Sequence, residues 1–97
     1  MVQLPVPLVF DWDQGNIEKN WARHEVHDKE AEEVFFNKPL KIFPDTKHSE
    51  TEKRFLALGV TNKKRQLTII FTIRKRNLRV ISARDQNKKE KSKYEEG

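Results

Sequence analysis

Gln66–Asp85 reads QLTIIFTIRKRNLRVISARD. Leu67, Ile69, Phe71 and Ile73 alternate with Thr68, Ile70, Thr72 and Arg74. That is the period-two pattern of a half-buried strand, rich in β-branched and aromatic residues. The alternation resumes after Lys75-Arg76-Asn77, with Leu78, Val80 and Ser82 on one side and Arg79, Ile81 and Ala83 on the other. Two such runs joined by a short polar link containing Asn predict a β-hairpin. From Thr61 to Arg84 the charged residues are Lys63, Lys64, Arg65, Arg74, Lys75, Arg76, Arg79 and Arg84, all of them basic. A sheet that presents arginines and no carboxylates is suited to holding phosphate.

The flanking sequence supplies elements to support this hairpin. Immediately upstream, Arg54, Leu56 and Leu58 alternate with Phe55, Ala57 and Gly59, which predicts a strand over Glu52–Val60. Leu40, Ile42 and Phe43 form a shorter one, and Pro44-Asp45 opens a loop through His48 and Ser49. Nearer the N-terminus, the apolar run Leu8–Trp12 reads as a first strand. Asp13 has the chemistry of an N-cap for a helix over Gly15–His24, carrying Ile17, Trp21 and Asn20 at near-helical spacing. Asp28 is the N-cap candidate for a second helix, with Ala31, Val34 and Phe35 as its buried stripe, closed by Asn37-Lys38-Pro39. Trp12 and Trp21 are both expected in the core. Asn87–Glu96 is polar apart from Tyr94 and reads as a C-terminal helix or a solvated tail. The expected order, β-α-α-β-β-β-β-α, is an α+β class with a twisted antiparallel meander. One domain spans 1–97, with 1–7 as a lead-in and 87–97 as the polar C-terminal segment.

Composition limits what such a domain does. The 97 residues are 35% hydrophobic and 36% charged, so the core is thin. There is no cysteine, hence no disulfide framework and no thiolate zinc site. No apolar run approaches the roughly 20 residues that span a bilayer, and no signal-peptide pattern is present, so a cytoplasmic location without membrane contact is expected. A net charge of +5 points to an anionic partner, nucleic acid first. The charge is divided along the chain. Between Asp11 and Glu33 acids outnumber bases, and the second half reverses the sign.

Several chemistries are poorly served. His24 and His27 lie three apart with no carboxylate in a recognised ligand pattern, so no metal is expected. Gly15, Gly59 and Gly97 are isolated and form no phosphate-cradling loop. Metal-free RNA cleavage asks for less, because the substrate's own 2′-hydroxyl is the nucleophile. The protein supplies a group that takes its proton, cations for the charge developing on phosphorus, and a proton for the leaving 5′-oxygen. Glu52, His24 and His48 are the proton handlers available, and Arg54, Arg74 and Arg84 are the strand arginines. Structural alternatives stand beside these roles. Glu52 and Arg54 share strand parity and can form a simple ion pair. His24 can complement a helix dipole, His48 can cap a loop, and Tyr94 can be a packing anchor. A catalytically silent basic module binding protein or RNA is the rival reading. A DNA-binding regulator is a third, without a recognition helix to carry it.

Phe10-Asp11-Trp12-Asp13, Asn20, Arg23-His24, Ala31, Val34-Phe35 and Pro39, followed in order by Asp45, His48-Ser49, Glu52, Arg54, Gly59, Arg65, Thr72, Arg74, Ile81-Ser82-Ala83-Arg84, Glu90 and Tyr94-Glu95, resemble the BrnT family. The resemblance covers nearly the whole chain. It implies a RelE-like α+β fold and a ribonuclease toxin of a type II toxin–antitoxin system, acting on RNA without a cofactor. It also implies a BrnA-like antitoxin that binds tightly, in a complex of two toxins and two antitoxins, with operator DNA reached only through the antitoxin. On the matching positions, His24, Glu52, Arg54, Arg74 and Arg84 are the expected catalytic set, and Arg23, His48, Arg65 and Tyr94 the expected substrate contacts. One departure is local: the family usually carries Lys-His-Gly where this chain has Arg23-His24-Glu25.

Overall fold

A computed structural model describes residues 3–45 and 52–96. In chain order its elements are α1 (Gln14–His24), α2 (Asp28–Val34), β1 (Lys41–Pro44), β2 (Arg54–Val60), β3 (Gln66–Arg74), β4 (Asn77–Asp85) and α3 (Lys88–Glu95). The strands lie in the order β1-β2-β3-β4, each antiparallel to its neighbour, so the meander and the α+β class are as the alternation predicts. The hairpin turn is tighter than the three-residue link expected. Only Lys75 and Arg76 are in it, with φ of 49° and 68°, and Asn77 already pairs with Arg74. Two successive positive φ values give the turn the twist that antiparallel strands require.

The expected first strand is reduced to one parallel bridge, Phe10 to Leu78. The Asp11 N–H donates to the Leu78 carbonyl and the Leu78 N–H to that of Val9, both at 2.8 Å. Pro5 and Pro7 lack donors on one side, and Asp13 is committed to capping α1 on the other, which leaves room for little more. The Asp13 carboxylate accepts the Asn16 N–H at 2.7 Å.

A one-residue bulge at Ile81 changes how β4 is read. Ile70 pairs with Ser82 while Phe71 pairs with Val80, so Ile81 has no partner across the ladder. Parity inverts at that point. Ala83, not Ser82, joins Leu78 and Val80 in the core, and all three are fully buried. The inner face of the sheet thus carries Phe55, Ala57, Leu67, Ile69, Phe71, Leu78, Val80 and Ala83, packed beneath α2 and the N-terminal segment. Burying each large apolar side chain contributes about 1.5–3 kcal/mol. Gly59 lies beneath the end of α2: a Cβ there would meet Val34 Cγ1 at 2.5 Å.

The seating of α1 differs from expectation. Asn16 and Asn20 face the sheet, and Trp21 does not. Asn16 Nδ2 donates to the Val80 carbonyl, and Asn20 Oδ1 accepts the Ala83 N–H at 3.2 Å. The reason is that β4 is an edge strand with backbone groups to satisfy, and asparagine side chains one helical turn apart bracket the bulge. Trp21 is therefore not in the core but 46% exposed. Trp12 is partly buried and donates from Nε1 to Glu32 at 2.8 Å.

The last segment is a helix, not a tail. Asn87 caps it in a reciprocal box with Glu90, and Tyr94 anchors it over the outer face of the sheet, donating its hydroxyl proton to the Pro39 carbonyl at 2.6 Å.

Candidate functional site

The outer face of the sheet gathers the strand arginines. Arg54 lies opposite Thr72 and Arg84 opposite Thr68, while Arg74 ends β3 two residues beyond Thr72. All three therefore project to one side. Leu56, Ile70, Ile81 and Ser82 line a hollow of about 440 Å³ that Arg54, Arg84 and Asp45 also border. Around the β4 edge a second hollow of about 450 Å³ is lined by Arg23, His24, Glu25, Arg65, Arg84 and Asp85. Arg84 borders both, so the two hollows meet at one guanidinium.

The basic hairpin does not remain free of carboxylates once folded. Glu52 grips Arg74 in a two-pronged pair, accepting from Nε and from one terminal nitrogen at 2.9 Å each, and lies 3.9 Å from Arg54. Glu90 holds Arg84 the same way at 2.7 and 2.9 Å. Arg79 meets Asp11 and Asp13, and Arg65 meets Asp85 and Glu30. The acids come from the N-terminal half, the loop before β2, the end of β4 and α3, so the linear charge split closes on itself in three dimensions.

Ionisation follows this pairing. The hydrogen bond from Arg74 holds the Glu52 carboxyl below the usual carboxylate range. Burial works against ionisation of Glu90, but hydrogen bonds from Arg84, the Asn87 N–H and Thr68 together outweigh it and lower its pKa. Asp85 is lowered chiefly by Arg65. The arginines respond in kind: the pKa values of Arg74 and Arg84 are raised, first by Glu52 and Glu90 respectively.

The remaining expected residues fall in three places. His24 and Arg23 sit at the end of α1, in the second hollow. Arg65 is turned toward the end of that helix, donating to the carbonyls of His24 and Glu25 at 3.1 and 2.9 Å. It satisfies C-terminal carbonyls that a helix leaves unpaired and complements the dipole there. Tyr94 is 6% exposed and anchors α3; burial raises its hydroxyl pKa. His48 lies outside the described residues. Among the described residues no group of three or more His, Asp or Glu side chains is placed to hold a metal, and no helix is long and apolar enough to cross a membrane.

Sequence reasoning missed Glu90, Asp85 and the apolar floor of the first hollow. The Asn-x-x-Glu capping pattern at Asn87–Glu90 was legible, but the reach of Glu90 back to Arg84 was not. The bulge adds Ser82 to the lining beside Ile81, where strict alternation would have turned it to the core.

No curated protein matches the chain. A family profile described as "Ribonuclease toxin, BrnT, of type II toxin-antitoxin system" matches residues 12–90, from Trp12 through Glu90. That span contains both hollows and every paired arginine named above, and on this match the chain belongs to the BrnT family of ribonuclease toxins of type II toxin–antitoxin systems.

Proposed function

We propose that the chain is a metal-independent endoribonuclease that cuts RNA to arrest translation, with the scissile phosphate seated at Arg84. The observation that carries this reading is that Arg84 borders both hollows, one floored by Leu56, Ile70 and Ile81 and the other holding His24. An apolar floor beside two arginines suits a nucleoside flanked by its phosphates. His24 takes the 2′-hydroxyl proton, the 2′-oxygen attacks phosphorus as the P–O5′ bond breaks, and the 5′-oxygen leaves with a proton from solvent water. The products are a 2′,3′-cyclic phosphate and a free 5′-hydroxyl end. Arg84 and Arg54 stabilise the charge that develops on the phosphoryl oxygens. Glu52, kept anionic by Arg74, is better suited to orienting Arg74 and Arg54 than to carrying a proton. Arg23 extends the cationic border of the second hollow.

The partner in this reading is a BrnA-like antitoxin in a two-plus-two complex in the cytoplasm, with operator DNA contacted through the antitoxin alone. A specific observation favours a second reading, a silent RNA-binding module: Arg74 and Arg84 are each already gripped by a carboxylate. Cleavage of a defined RNA in excess chelator separates the two. Arg84→Ala is expected to cut about 10²–10³-fold more slowly and His24→Ala about 10²–10⁴-fold. Cutting at the wild-type rate by the Arg84 variant sinks its assigned role. Salt-sensitive binding by the wild type without any cyclic-phosphate product supports the silent module.

A further inference from the structure

Trp21 stands on α1 with nearly half its surface in solvent, on a helix whose sheet-facing positions are asparagines. Its indole is not loose. The ring stacks on the His27 imidazole, with centroids 4.2 Å apart and planes 18° from parallel. His27 is itself fixed as the N-cap of α2, its N–H donating to Glu30 at 3.1 Å. A flat aromatic backed on one face by a second ring is presented to solvent in one orientation. Among the described residues no other ring lies against it.

Position gives this surface a use. Trp21 is three residues from His24, so their Cβ atoms are about 5–6 Å apart on the helix, and His24 borders the hollow that Arg84 closes. Glu18 lies one helical turn before Trp21 and repels phosphate there, while Arg23 and Arg84 attract it to the hollow, which Glu25 also borders. What can lie over the indole is then the uncharged face of a base. Exposed aromatics of this kind receive bases splayed out from single strands.

Resting on the reading that RNA crosses the β4 edge at Arg84, we infer that Trp21, backed by His27, is a stacking platform for one unpaired nucleobase next to the scissile phosphate. It contributes to binding of single-stranded RNA and not of duplex.

The test is fluorescence anisotropy with a short single-stranded oligoribonucleotide, 2′-O-methylated at every sugar so that it cannot be cut. Trp21→Ala is expected to weaken binding about 5- to 150-fold. The salt slope stays unchanged because no phosphate contact is lost, and Trp21→Phe restores most of the affinity. Arg84→Ala, measured alongside, is expected to weaken binding and reduce the slope by about 0.7. If Arg84→Ala weakens binding and Trp21→Ala does not, the platform is wrong and the cleavage site stands. If Arg84→Ala has no effect while Trp21→Ala weakens binding as expected, the platform stands and the phosphate seat falls. A Phe variant as weak as the Ala variant, or an altered slope in either, means that the indole acts through the packing of the α1–α2 corner at His27, and overturns the stacking role. Normal RNA binding by Trp21→Ala with loss of the antitoxin assigns the indole to the protein interface and likewise overturns it.

Discussion

Glu25 ends α1 in the left-handed region, at φ 53° and ψ 41°. A side chain there brings Cβ close to the following carbonyl, a penalty of roughly 1–2 kcal/mol that glycine escapes. Part of that gain is offset by the greater freedom of glycine in the unfolded chain. Glu25→Gly is therefore expected to stabilise the fold by about 0.5–1 kcal/mol, seen as a rise of roughly 2–8 °C in Tm. A lower Tm would mean that contacts of the carboxylate outweigh the backbone strain. The cap matters beyond stability because the adjacent His24 carbonyl accepts from Arg65, which ties the end of the helix to Asp85 on β4. His24 thereby owes its position to backbone geometry as much as to its own side chain.

Among the elements, α3 depends most on a single residue. Glu90 completes the capping box at Asn87, accepts the Thr68 hydroxyl at 2.8 Å and grips Arg84. Glu90→Gln is expected to lower stability by about 1–3 kcal/mol at neutral pH, in the range for a hydrogen bond to a charged partner, as read by urea unfolding. The sign with pH follows from its pKa, which is lower in the folded chain than in the unfolded. The contribution is present above the ordinary glutamate value of about 4.3 and is lost as pH falls through the folded value. Tm should thus fall less steeply below about pH 4.3 in the Gln variant than in the wild type, and parallel curves would refute the assignment. The helix itself was one of the two readings of Asn87–Glu96. Its docking was not legible, because Tyr94 is its one buried residue and the sequence names no acceptor for the hydroxyl. The N-terminal run shows the reverse: Leu8, Phe10 and Trp12 do pack against the core, yet their apolar character could not reveal that prolines limit them to one bridge.

At the scale of the molecule, the layers meet at Gly59. Adding a methyl group there drives α2 off the sheet at Val34, so Gly59→Ala is expected to cost about 1–3 kcal/mol. Its urea midpoint should drop with the m-value unchanged, and an unshifted midpoint would show that α2 yields without cost. Most of the architecture was legible because β2 and β3 keep strict alternation and because Asp13 announces α1. The shape of the site was less so. Trp21 shares a stripe with Ile17 and looks like core until the unmet backbone groups of β4 draw Asn16 and Asn20 inward. The pairing of Arg74 with Glu52, and of Arg84 with Glu90, depends on side chains crossing between elements, which local periodicity does not encode. The phase change at Ile81 has a further consequence for how such a toxin can vary. Ala83 and Arg84 are held in a different frame from Leu78 and Val80, and the unpaired Ile81 is what separates the two frames. A lineage that lost the codon for Ile81 would close the bulge and keep Ala83 inward and Arg84 outward, whereas one that lost Ala83 would turn a guanidinium toward the hydrocarbon interior. Changes of length are therefore open to evolution at the bulge and closed among the paired residues that follow it.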